Sequence, residues 1–107
     1  MKVIVQNLAV EYRDEGNGPV VLFLHGWKDS LHTFDDVASF LHDDMRMIRI
    51  DLPGFGKSET PDNAWNVDNY ADFVSDVIRK LDLRVFALVG HSFGGRIIIK
   101  GQAAKKL

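Results

Sequence analysis

The stretch Val85-Phe86-Ala87-Leu88-Val89-Gly90-His91-Ser92-Phe93-Gly94-Gly95 decides the fold. Its first five residues are all apolar, as in a strand buried on both faces of a parallel sheet covered by helices. Gly-x-Ser-x-Gly follows at once. A serine in that context sits on a sharp strand-to-helix turn that lifts its hydroxyl above the end of the sheet. Gly90 and Gly94, two residues either side of Ser92, carry no Cβ, so strand and helix can pass close together. The first N–H groups of the following helix, expected from Arg96 onward, then face a point where negative charge develops on a reacting oxygen. A plain βα turn would also use glycines and a serine. The apolar strand in front and the helix behind favour the chemical reading.

Working outward, a second apolar run, Val20 to Leu24, ends in His25-Gly26-Trp27. Open α/β sheets place ligands at the carboxyl ends of such strands. Gly26 permits a sharp turn there, and the Trp27 amide is a second candidate donor to an oxyanion. Met45 to Ile50 reads as another buried strand. Lys2–Gln6 and Leu8–Arg13 alternate apolar and polar residues and read as an antiparallel edge. Between the strands, Thr33 and Asp36 resemble a capping box that starts a helix. Val67, Tyr70, Phe73, Val74, Val77, Ile78 and Leu81 repeat at three and four, which predicts a helix over 67–81. Asp51 to Asn66, with two prolines and two glycines, reads as a long loop. The order β β β α β α β α implies βαβ crossovers and a mainly parallel sheet.

Composition narrows the function classes. Thirteen Lys and Arg oppose fifteen Asp and Glu, for a net charge of −2. That balance predicts no nucleic-acid partner and no attraction to anionic membrane. The longest apolar runs are five residues, against the ~20 needed for a membrane span. With no targeting segment in view, the expected location is cytoplasmic. The absence of cysteine excludes a disulfide framework, a thiolate nucleophile and a Cys-ligated metal.

Three blocks together resemble the N-terminal part of an α/β-hydrolase-fold serine hydrolase: His25-Gly26-Trp27, Asp51-Leu52-Pro53-Gly54-Phe55-Gly56-Lys57-Ser58 and Gly90-His91-Ser92-Phe93-Gly94-Gly95, in that family's order. The resemblance implies a three-layer, mostly parallel sheet cut short after the helix that follows the elbow. It makes Ser92 the catalytic nucleophile and the amides of Trp27 and Phe93 the oxyanion hole. His25, Gly26, Gly90, His91 and Gly94 shape the elbow and line the pocket. No cofactor and no metal are implied, and the substrate is a small molecule with a carboxylic ester, thioester or related acyl bond. Serine at position 92 argues against relatives with an aspartate nucleophile, such as haloalkane dehalogenases and epoxide hydrolases.

The resemblance also sets a problem. In this family the acid and the histidine follow the nucleophile. Fifteen residues follow Ser92, and none is His, Asp or Glu. A serine hydroxyl without an adjacent base is a poor nucleophile. His91 should point away from Ser92, while His32 and His42 read as solvated. Residues 1–107 are therefore expected to be the N-terminal part of a single α/β-hydrolase domain, inactive alone. The rival reading is a non-catalytic binding or interaction module derived from the hydrolase fold. Either way, an apolar edge at Val85–Val89 invites self-association.

Other signals lead elsewhere. Gly56-Lys57-Ser58 lacks the glycine that a phosphate-binding loop needs at position 51, which is Asp51. Asp51 is expected to tie down its loop, with Ser58 at the pocket rim. Asp35, Asp36, Asp72 and Asp76 read as solvated helix surface, with no calcium-loop spacing. Trp65 is expected at the entrance of the helix over 67–81.

Overall fold

The computed structural model describes residues 1–107. In chain order the elements are β1 (Lys2–Val5), β2 (Leu8–Gly16), β3 (Val20–Leu24), a single 3₁₀ turn (Leu31–Phe34), α1 (Asp35–Leu41), β4 (Arg46–Ile50), α2 (Val67–Lys80), β5 (Val85–Gly90) and α3 (Phe93–Ala103). The strands form one sheet in the order β1-β2-β4-β3-β5. Pairing is antiparallel for β1/β2 and β2/β4, and parallel for β4/β3 and β3/β5. The sheet is thus mixed, with its parallel part centred on β3. Leu24 pairs with Ile50 on one side and Gly90 on the other, so the three parallel strands end level.

Side-chain alternation along β3 and β4 builds two cores. Leu22, Leu24, Ile48 and Ile50 face α2 and α3, against Phe73, Val74, Val77 and Ile97. Val21, Phe23 and Met47 face the opposite layer, against Phe34 and Ala38. Each such side chain contributes about 1.5–3 kcal/mol when fully buried. The expected three-layer α/β architecture is what these two cores make.

Several local expectations need correction. The Thr33–Asp36 capping box does not form: Ser30 caps the 3₁₀ turn by accepting the His32 N–H, and α1 starts directly from it at Asp35 with no side-chain cap. The capping box lies instead at α2, where Asn66 and Asn69 exchange side-chain-to-backbone bonds of 2.9 Å. β2 runs on to Gly16 because Asp14 to Gly16 pair with β4. α3 begins at Phe93, three residues before Arg96. β5 is not buried on both faces. It lies at the sheet edge, with Phe86 71% exposed and Val89 38%.

The acidic residues are largely ion-paired rather than simply solvated. Asp72 meets Lys106 at 2.8 Å, Asp68 meets Lys100 at 3.9 Å, and Asp76 meets Arg79 at 2.5 Å. These pairs link α2 to α3 and to the chain end or lie along α2, and each contributes little. Asp35 has a different partner, the buried Arg49 of β4, at 2.6 Å. No helix is long and apolar enough to cross a membrane.

Candidate active site

The connection out of β3 leads to α1 on one face of the sheet, and the connection out of β5 leads to α3 on the other. Two neighbouring parallel strands whose chains leave to opposite faces open a crevice at their carboxyl ends. His25-Gly26-Trp27 and Gly90-His91-Ser92 meet there. The His91 N–H donates to Leu24 O at 3.0 Å, and a Cβ built on Gly26 would stand 3.5 Å from Ser92 Cβ. The two motifs that are far apart in sequence are thus adjacent in the fold.

Ser92 adopts φ +54° and ψ −109°. A non-glycine residue with positive φ is uncommon, and this ψ lies far from the left-handed helical well. The surroundings hold it there. Gly94 N–H donates to His91 O at 3.0 Å, and Arg96 N–H donates to Ser92 O at 3.1 Å. Gly94 packs directly on β3: a Cβ at that position would lie 2.1 Å from Leu24 O. One at Gly90 would lie 2.5 Å from the Gly94 carbonyl carbon. Ser92 itself is exposed. Neither the Phe93 N–H nor the Trp27 N–H donates to any protein acceptor.

His25 does not line an open pocket. It is fully buried, with Nε2 accepting the Leu52 N–H at 2.9 Å. That bond leaves the proton on Nδ1, which donates to Gly26 O at 2.7 Å. Both ring nitrogens are committed, and burial holds the imidazole below its ordinary pKa despite the Gly26 carbonyl and the Asp51 and Asp29 charges. The unfolded chain therefore takes up a proton first, near pH 6.5. The stability His25 provides is complete above that value and is lost as pH falls through the lower, folded value. Urea midpoints should decline as pH falls below about 6.5, and His25→Gln should remove that slope even where it lowers stability at every pH.

The other histidines do not serve Ser92 either. His32 pairs with Asp35 at 3.1 Å and His42 with Asp43 at 3.0 Å, both exposed. His91 lies over Gly26, with its Nδ1 3.0 Å from where a Cβ would be, and makes no hydrogen bond to Ser92.

β4 ends in a clamp that sequence reasoning only half identified. Asp51 is buried, and its two carboxylate oxygens accept the Leu31 N–H at 2.7 Å and the Lys57 N–H at 2.9 Å. Ser58 is buried as well, donating to Asp51 O at 2.6 Å and accepting the Glu11 N–H at 2.9 Å, so it is a strut rather than a rim residue. Arg49 was hidden inside an apolar run. It is 2% exposed, pairs with Asp35 and Glu15, and donates to Leu31 O at 3.1 Å. Burial opposes its charge, but the two carboxylates outweigh burial and raise its pKa. A charge at the α1-facing position of a strand is the signal that marks it. Asp51→Asn keeps one acceptor and turns an NH₂ toward an N–H donor. It should cost about 2–4 kcal/mol in denaturant unfolding, since it strands a buried amide.

Aromatic rings close the remaining side. Trp27 meets Phe55 at 4.9 Å and Phe93 at 5.2 Å, and Tyr70 meets Phe93 at 5.2 Å, all edge to face. Trp65 packs on Tyr70 and Phe73 of α2, as its position before that helix predicts. Tyr70 Oη donates to Pro53 O at 2.8 Å, fixing the loop after β4.

Similarity to known proteins follows the same lines. The alpha/beta hydrolase fold family matches residues 19–99. The chain is 33% identical over 95 residues to 2-(acetamidomethylene)succinate hydrolase of Mesorhizobium japonicum, covering 89% of this chain and 34% of that protein. It is 37% identical over 86 residues to fluoroacetate dehalogenase of Burkholderia sp, covering 76% and 28%. The crystal structure of a membrane phospholipase A superposes with a TM-score of 0.91 at 29% identity, covering 96% of this chain and 34% of that one. The chain thus spans about a third of the length of the curated relatives it matches. With most of its length matched, and with the elbow and crevice arranged as described, the chain belongs to the α/β-hydrolase fold family.

Proposed function

We propose that Ser92 is the nucleophile of a serine hydrolase that acts on a carboxylic ester, thioester or related acyl bond of a small molecule. The observation that carries this reading is an exposed serine held at φ +54°, with the backbone N–H groups of Phe93 and Trp27 unpaired. Strain of this kind persists only where the surroundings over-determine it, and it concentrates at reacting groups. In the reaction Ser92 Oγ attacks the acyl carbon and passes its proton to a base. The carbonyl oxygen becomes an oxyanion held by the Trp27 and Phe93 amides, and the alcohol or thiol leaves with a proton. The acyl-serine is then released by water.

None of the four histidines is bonded to Ser92, so the base and its acid partner belong to chain outside residues 1–107. Those residues would then be the N-terminal part of a single α/β-hydrolase domain. Support comes from the share of the relatives' length that the chain covers and from the open edge at β5. A fluorophosphonate probe tests the proposal on the full-length protein. One adduct is expected, on Ser92, and none in Ser92→Ala. A folded protein that takes no adduct at Ser92 would overturn it. Residues 1–107 alone should show no p-nitrophenyl ester turnover that Ser92→Ala removes.

A further inference from the structure

Beside the elbow lies a cavity of ≈ 300 Å³ between Trp27 and the loop that follows β4. Its walls are Trp27, Phe55, Trp65 and Tyr70, with Thr60 and Asn63 as the polar side chains. None of its nine lining residues carries a charge. The Tyr70 hydroxyl is already used on Pro53 O, so that wall offers a ring and no free donor. A carboxylate entering here would find no cation to pair with, and whatever water it gave up against the aromatic walls would go uncompensated. A neutral ring finds four aromatic side chains to stack on, with aromatic pairs worth more than their buried area alone. The volume suits one substituted phenyl group, since an apolar cavity of ~150 Å³ already holds benzene. Phe93, the residue after Ser92, packs edge to face on both Trp27 and Tyr70, two of the cavity's walls.

We infer that this cavity is a subsite for the uncharged aryl group of the substrate, so that the site takes neutral aryl esters and rejects substrates bearing a carboxylate at that position. The inference deepens the nucleophile proposal and rests on it for the reaction, but not for the binding. Trp27 and Trp65 are the chain's only tryptophans, and both line the cavity. Their indole N–H signals in a proton–nitrogen correlation spectrum of the full-length protein, assigned with Trp27→Phe and Trp65→Phe, therefore report on it directly.

Acetophenone titrated into the protein should shift both signals saturably, with a Kd on the order of 1 mM, as befits a ligand of so few atoms. Acetone lacks the ring and should shift neither. Benzoate carries the charge and should bind at least about tenfold more weakly. Ala64→Asp, which sets a carboxylate on the exposed wall, should weaken acetophenone by a similar factor without disturbing the rest of the spectrum. Saturating acetophenone should also slow fluorophosphonate labelling of Ser92 in the full-length protein. Loss of saturable shifts with acetophenone, or shifts of equal affinity with benzoate, would overturn the subsite. Saturable shifts in a protein whose Ser92 takes no label would leave the subsite standing and remove the nucleophile reading.

Discussion

Ser92→Gly is expected to stabilise the protein while abolishing its labelling. A non-glycine residue held outside the common backbone wells costs about 1–3 kcal/mol. Glycine adopts φ +54° without that cost, but gives back about 0.5–1 kcal/mol through the greater freedom of the unfolded chain. A net gain of about 1 kcal/mol raises Tm by about 4 °C for a unit of 107 residues and by about 2 °C for a domain of the relatives' length. Ser92→Ala keeps the strain and should leave Tm within about 1 °C of the parent, while losing labelling just as completely. Thermal unfolding of the three proteins separates the outcomes. If glycine and alanine behave alike in Tm, the serine is not strained, and the physical argument for its reactivity falls with it.

Gly94→Ala should be strongly damaging for the addition of a single methyl group. Its Cβ would lie 2.1 Å from Leu24 O and 2.6 Å from the Leu24 carbonyl carbon. Those are backbone atoms of the central strand, with no flexible side chain to give way. Either α3 lifts from β3 or the bond from His91 N–H to Leu24 O stretches. Overpacking of this kind costs about 3 kcal/mol or more. Gly95→Ala is the matched control. There the nearest atom outside the local helix, Gly90 O, stands 3.6 Å away, an ordinary contact. Alanine also favours a helix by up to about 1 kcal/mol over glycine. Urea midpoints should therefore fall steeply for position 94 and hold or rise for position 95. Amide exchange at His91 should accelerate only in Gly94→Ala. Equal effects at the two sites would show that the close passage of α3 over β3 is not what those glycines serve.

Much of this was legible in the residues. Val20–Leu24 and Val85–Val89 announced parallel strands because apolar runs of that length, bounded by glycine, have few other uses. The elbow was legible because its glycines are required by backbone contacts, and a backbone contact leaves a residue type as its trace. What the chain hid were interactions that depend on which elements meet. His25 looked like a pocket residue from its motif position. Only the approach of the β4 loop turns it into a buried strut with both nitrogens occupied. Ser30 displaced Thr33 as the cap because the chain enters α1 through a 3₁₀ turn, which moves the first free N–H groups upstream. Arg49 sat inside a strand pattern, and its partners Glu15 and Asp35 are set by the antiparallel β2/β4 register and by α1. Asp68 and Asp72 of α2 read as solvated because their lysine partners come from α3 and the chain end.

The position of β3 at the centre of the parallel strands has a consequence for the order of assembly. Its pairing with β4 closes a short stretch of chain, whereas Val20 meets Val85 only after β4, the long loop and α2 have been laid down. Contacts that span more chain form later, because the entropy of closing the loop must be met first. The turn at Ser92 hangs on that last event, through His91 on Leu24 O and Gly94 against the same carbonyl. A nascent or partly folded chain therefore carries a relaxed, unremarkable serine. The hydroxyl takes up its strained pose only when β5 has docked on β3, so the conformation of a single residue records that this long-range pairing is in place.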